Sequence, residues 1–131
     1  MVKYFNIGGK ERPVLWNVYS LARWEKEIEK DLGSWSAEFV RGKILYMDMI
    51  KMVRIALLEG ALELAENSKQ DRNKQAELLT VTDRHVAMWM EESREVFGEI
   101  TQYCISNMPF AQGDDKGNPQ SPAQEKPGQQ T

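Results

Sequence analysis

The sequence predicts an α+β fold, mainly α: an N-terminal β-hairpin packed on a small bundle of three to five helices, followed by a disordered C-terminal tail. Three observations lead there. Residues 44–66, ILYMDMIKMVRIALLEGALELAE, keep helical periodicity for about six turns. The opening KYFNIGGKERPVLW sets two short strand-forming runs on either side of a Gly-Gly pair. From Ala111 onward there is no aromatic residue, but three prolines and many Gln and Gly, a composition that cannot bury enough surface to offset the entropy of ordering. The compact domain is therefore expected over 1–110 and the tail over 111–131.

The hairpin is expected over 3–16. Tyr4, Phe5 and Ile7 favour a strand, Gly8 and Gly9 tolerate positive φ, and Val14, Leu15 and Trp16 form the return arm. Pro13 has no N–H for a ladder, so the second strand should be an edge there. Two strands alone are marginal in water and must pack on a helix or pair with another chain. Gly8-Gly9 is not a phosphate-binding loop, because the third glycine and the following helix are missing.

Asn17 is a candidate N-cap for a helix over about 17–32, with Val18, Leu21, Trp24, Ile28 and Leu32 as its apolar stripe and Gly33 as its stop. Ser34–Lys43 reads as a connector or helical turn anchored by Trp35 and Phe39. The central helix, about 44–66, has two apolar faces. Met49, Ile50, Val53, Ala56, Leu57, Ala61 and Leu64 share one; Ile44, Met47, Ile55, Leu58 and Leu62 form the other. A surface helix needs one apolar face, so either the chain's own segments cover both or a partner covers the second. After Asn67, SKQDRNKQ reads as an exposed loop or frayed helix end. A last helical region spans about 82–107, capped by Thr80 or Thr82 and carrying Val86, Trp89, Val96, Ile100 and Tyr103 on its apolar side. Glu91-Glu92-Ser93 offers a break into a short helix and a longer one.

The 131 residues carry 17 basic and 20 acidic side chains, a net charge of −3, without the basic concentration that nucleic-acid binders show. Cys104 is the single cysteine, so an intramolecular disulfide is impossible and a reducing compartment is expected. The opening residues lack the apolar run of a signal peptide. No stretch reaches the ~20 apolar residues that span a bilayer, so the expectation is a cytoplasmic protein with no membrane partner.

Catalytic chemistry finds little support. His85 is the sole histidine and has no second ligand nearby for a metal. Cys104 lacks a histidine in its own segment and sits by an apolar stripe, which suits a small core residue better than a nucleophile. Glu59 and Glu63, or Glu91 and Glu92, are carboxylate pairs of the kind that solubilise a helix. The chain is expected to be non-enzymatic, with no cofactor and no metal. Methionine and tryptophan stand above background: Met47, Met49, Met52, Met88 and Met90, and Trp16, Trp24, Trp35 and Trp89. Methionine fills core gaps and also serves surfaces that accept varied partners, while an exposed tryptophan is a candidate hot spot. Met47, Ile55, Leu58, Leu62, Met88, Trp89 and Trp35 are the candidate partner-binding residues.

In element order and patterning, KYFNIGGKERPVLWNVYSLARWEKE, then MIKMVRIALLEGA, then LTVTDRHVAMWMEE, the chain resembles the tail assembly chaperones of long-tailed bacteriophages and prophages across roughly residues 3–107. The added Ser34–Lys43 segment, the long SKQDRNKQAEL stretch and the many tryptophans depart from that pattern. The resemblance implies a protein that binds the tape measure protein in the host bacterial cytoplasm, helps recruit tail tube protein, and is absent from the mature virion. A longer form made by ribosomal frameshifting is part of that expectation, and so is a possible homo-oligomer. The alternatives are another phage structural or head–tail completion protein, or a small bacterial peptide- or ligand-binding domain.

Overall fold

The computed structural model describes residues 2–67 and 80–109. Both the SKQDRNKQ stretch and the expected tail lie outside these residues. The described residues form two strands and five helices, the mainly α, α+β class expected from the sequence.

Strands β1 (Lys3–Ile7) and β2 (Lys10–Val14) pair antiparallel, with Ile7 opposite Lys10 and Lys3 opposite Val14. The loop between them is Gly8-Gly9, at φ 62° and 81°, the two positive values that a two-residue type I′ turn requires. Pro13 stands opposite Tyr4, one step out of phase with the closing pair. Alternate pairs in such a hairpin exchange hydrogen bonds, so the donor that Pro13 lacks would have pointed outward, away from the ladder.

Helix α1 (Val18–Ile28) opens as expected. The Asn17 side-chain oxygen accepts from the Ser20 N–H at 2.8 Å, and Ser20 Oγ accepts from the Asn17 N–H at 3.2 Å. Its end corrects the expected span of 17–32. The helix stops at Ile28, Glu29 takes a left-handed φ of 59°, and Asp31 caps a new helix, α2 (Leu32–Val40), by accepting from the Ser34 N–H at 2.6 Å. Asp31 competes with helix continuation because its short carboxylate satisfies the orphan N–H groups of a fresh start. Gly33 therefore lies inside α2, and Gly42, at φ 80°, follows the end of that helix. The connector is thus a helix whose Trp35 and Phe39, four residues apart, share a face.

Helix α3 (Tyr46–Asn67) begins two residues later than expected, leaving Ile44 and Leu45 ahead of it. Helices α4 (Asp83–Glu92) and α5 (Arg94–Ser106) are separated at Ser93, at φ −148° and ψ 75°, where the acidic break was expected. Thr82 caps α4: its Oγ1 accepts from the His85 N–H at 3.2 Å.

Helix α3 packs against β2, α1, α4 and α5, and Met52, Ile55, Ala56, Leu57 and Ala61 are completely buried. Its approach to the hairpin is very close. The Leu15 N–H donates to the Ala56 carbonyl at 3.0 Å. One turn on, Gly60 lies so near that a Cβ built on it would stand 2.4 Å from the Pro13 carbonyl oxygen. Beside this contact runs a row of rings: Trp16 edge-on to Trp24 (5.8 Å between centroids), Trp24 edge-on to Trp35 (5.0 Å), and Trp35 stacked on Phe39 (4.8 Å). Buried indoles need acceptors. Trp24 Nε1 donates to the Asp48 carbonyl at 2.8 Å, and Trp16 Nε1 to Met108 Sδ at 3.3 Å.

The half-exposed stripe of α3 is tied down by charge. Arg54 Nε donates to Asp83 Oδ1 at 2.6 Å, Lys51 Nζ to Asp83 Oδ2 at 2.8 Å, and Arg54 also bonds Glu27, which joins α1, α3 and the first turn of α4. Partial burial pushes the Asp83 carboxyl up, but the bonds from Lys51 and Arg54 outweigh it and hold the group below its ordinary value. A carboxyl lowered on folding adds stability above its unfolded pKa of about 3.9 and loses it as pH falls through the folded value. Asp83→Asn should therefore lower Tm at pH 7, and the gap between variant and parent should close below about pH 4. Thermal melts of both chains from pH 7 to pH 3 check this.

Candidate polypeptide-binding surface

The second apolar face of α3 does not survive as a continuous open surface. Ile55 is completely buried and Trp35 is 3% exposed, so these two expected partner-binding residues belong to the chain's own core. The α2 helix, read as a connector in the sequence, is what brings Trp35 inward. Leu58 and Leu62 are half-buried. Trp89 is also half-buried, and it is occupied: the Arg12 guanidinium lies 4.6 Å from its ring centroid, and a Cβ on Gly8 would meet its Nε1 at 2.8 Å. Arg12 Nε in turn donates to the Ile7 carbonyl at 2.8 Å. Trp89 therefore clamps the hairpin turn onto α4.

The excess apolar surface sits at one end of the helix. Ile44, Leu45, Tyr46 and Met47 are consecutive and all at least half exposed, Tyr46 at 71%, and Val40 at the end of α2 is 83% exposed. Four large apolar residues in a row on the surface of so small a domain mark an interaction site more readily than a random scatter does. Beside them, the first turn of α3 and the α4–α5 corner enclose a groove of about 320 Å³ lined by Tyr46, Met90, Glu91, Arg94 and Phe97. Its floor is solid. Met90 and Phe97 also wall an apolar crevice against Val53, Val86 and Ile100 of about 10 Å³, room for no more than about one water. Glu91 and Arg94, 3.6 Å apart and both exposed, put one charge of each sign on the rim.

An apolar floor with a mixed-charge rim suits the apolar stripe of a helix from another polypeptide. Of the expected residues, Met47 belongs to this corner. Met88 is 53% exposed on α4, yet it is Met90, two residues on, that lines the groove. Leu45, Tyr46, Met90 and Phe97 were not among the candidate partner-binding residues read from the sequence. The available signal was the unbroken run 44–47, since four successive residues cannot share one face of a helix.

Cys104 is completely buried, and burial pushes its thiol well above the ordinary range. His85 is exposed, stacks on Trp89 at 6.2 Å and serves the α4 cap. Glu59, expected among the solubilising acids, is buried instead, and its Oε2 has no hydrogen-bond partner among the described residues. Among the described residues no group of three or more His, Cys, Asp or Glu is placed to hold a metal ion, and no helix is long and apolar enough to cross a membrane. No protein-family model, curated protein or solved structure matches the chain.

Proposed function

We propose that this chain is a non-enzymatic holding protein, a tail assembly chaperone that binds apolar helical segments of a phage tape measure protein in the bacterial cytoplasm and helps bring tail tube protein to it. The observation that carries the reading is the exposed corner Ile44–Met47 beside the groove of Tyr46, Met90 and Phe97; the element order and patterning of the sequence supply the family. A tape measure protein is a long helical chain with many apolar stripes. A shallow site of this size need not bind each one tightly, because repeated weak contacts along one client add by multivalency.

The test is co-purification with the long, helix-rich coding sequence expected beside this gene. A double variant, Leu45→Lys with Tyr46→Ser, should retain its Tm, since both side chains face solvent. It should lose client. Burying one large apolar side chain contributes about 1.5–3 kcal/mol, so affinity should fall roughly tenfold to a hundredfold. Retention of the client at parental affinity would remove the corner from the mechanism. Finding the chain as a stoichiometric component of purified virions would favour a structural role instead.

A further inference from the structure

A second groove, sharing no lining residue with the helix-binding corner, lies along the first strand of the hairpin. The two strands have unequal outer edges. The β2 edge is closed by α3, through the Leu15–Ala56 bond and the approach of Gly60 to Pro13. The β1 edge is open. Ile7, Phe5 and Lys3 face their partners across the ladder, so the backbone groups of Tyr4 and Asn6 turn outward. Among the described residues nothing accepts from or donates to them. Among the described residues no proline, bulge or covering helix blunts this edge, and Lys3 at its start is the one charged side chain on the strand.

Alongside the edge runs a trough of about 900 Å³ whose near wall is Lys3, Tyr4 and Phe5 and whose far wall is α5. Glu95 and Glu99 project into it from α5, both exposed, and neither has a cation partner among the described residues. Gly98 lies between them, and a Cβ placed there meets nothing within 4 Å, which keeps the trough open at its middle.

The spacing of the two carboxylates selects a conformation. Four residues of helix rise about 6 Å, and alternate residues of a β-strand are about 6.6 Å apart. We infer that the β1 edge and α5 form a docking site for an extended segment of another polypeptide with basic side chains at alternate positions. It pairs its backbone with Tyr4 and Asn6 as a third strand, while successive basic side chains reach Glu95 and Glu99. The chain's own residues 110–131 do not fit, having three acidic residues, two basic ones and three prolines. A second copy does not fit either, because its free strand, Lys3 to Ile7, offers a single basic residue.

The probe is a blocked hexapeptide, Thr-Lys-Val-Lys-Val-Thr, titrated into the full chain by calorimetry, with a scrambled peptide in which the lysines are adjacent as control. The alternating peptide should bind saturably and the control at least about tenfold more weakly. Gly98→Leu, which fills the trough with a better helix former, should weaken binding by about tenfold or more, as should Glu95→Lys with Glu99→Lys. N-methylation of the amides along one edge of the peptide should abolish binding, and along the other edge leave it unchanged. Absence of saturable binding at millimolar peptide overturns the inference. So does equal loss from methylating either edge, affinity unmoved by Gly98→Leu, or dimerisation of the chain through β1 in place of peptide binding.

Discussion

Gly60→Ala should destabilise the protein strongly, although alanine is the best helix former and the position is in the middle of a helix. Replacing an exposed helical glycine by alanine gains about 1 kcal/mol. Here the new Cβ would stand 2.4 Å from the Pro13 carbonyl oxygen, 2.6 Å from the Pro13 carbonyl carbon and 2.8 Å from the Val14 nitrogen. All three are backbone atoms of a strand held one turn away by the Leu15–Ala56 bond, so no rotamer change relieves the contact. Overpacking of this kind costs about 1–3 kcal/mol and more where the backbone must move. With the backbone forced to move, the net loss should be about 2 kcal/mol, a fall in Tm on the order of 10 °C for a domain of this size. Gly98→Ala is the matched control. Its Cβ meets nothing within 4 Å, so the same substitution on α5 should raise Tm. Thermal melts of the two variants side by side decide the matter: equal shifts of one sign would mean that α3 and β2 are not in close contact.

Trp24→Ala should have the larger effect of the single core truncations. Trp24 is completely buried between Trp16 and Trp35, and its indole N–H bonds the Asp48 carbonyl at the start of α3. Truncating a large buried aromatic costs about 3–5 kcal/mol, a large share of the 5–15 kcal/mol typical of a whole domain. The variant should be partly unfolded at 37 °C. Trp24→Phe keeps much of the contact area and loses one hydrogen bond, about 1 kcal/mol, together with part of the ring packing. It should fold with a reduced denaturation midpoint. Urea titration followed by far-UV circular dichroism measures both. A Trp24→Ala chain with the parental midpoint would show that the aromatic row is not what joins α1 and α2 to α3.

The elements that were legible in the sequence are those fixed by local chemistry. Gly8-Gly9 demands its turn, Asn17 caps α1, and Glu91-Glu92-Ser93 breaks the C-terminal helical region, because each acts through neighbouring backbone groups. The boundary at Glu29–Asp31 was hidden. Leu32 continues the apolar period of α1 across a real break in the helix, so periodicity alone joins two helices that a capping aspartate separates. The candidate surface was legible only in part. Counting apolar residues on α3 shows more than one face, but not which segment covers each. Trp35 was drawn inside by α2, whose helical nature the periodicity did not reveal, and Ile55 is buried on α3, which packs against β2, α1, α4 and α5. Tyr46, Met90 and Phe97 come together only because α3 starts at Tyr46 and the chain turns at Ser93. That is tertiary information.

The central claim is that the corner at the start of α3 holds an apolar helix of another polypeptide. Its most direct test is a methyl and amide NMR titration of the full chain with an amphipathic helical segment of the proposed client, the long, helix-rich protein expected to be encoded beside this gene. Resonances of Leu45, Tyr46, Met47, Met90 and Phe97 should shift together and saturate, while those of the buried Ile55 and Met52 stay in place. Saturable binding that moves other residues and leaves these five unmoved would contradict the account.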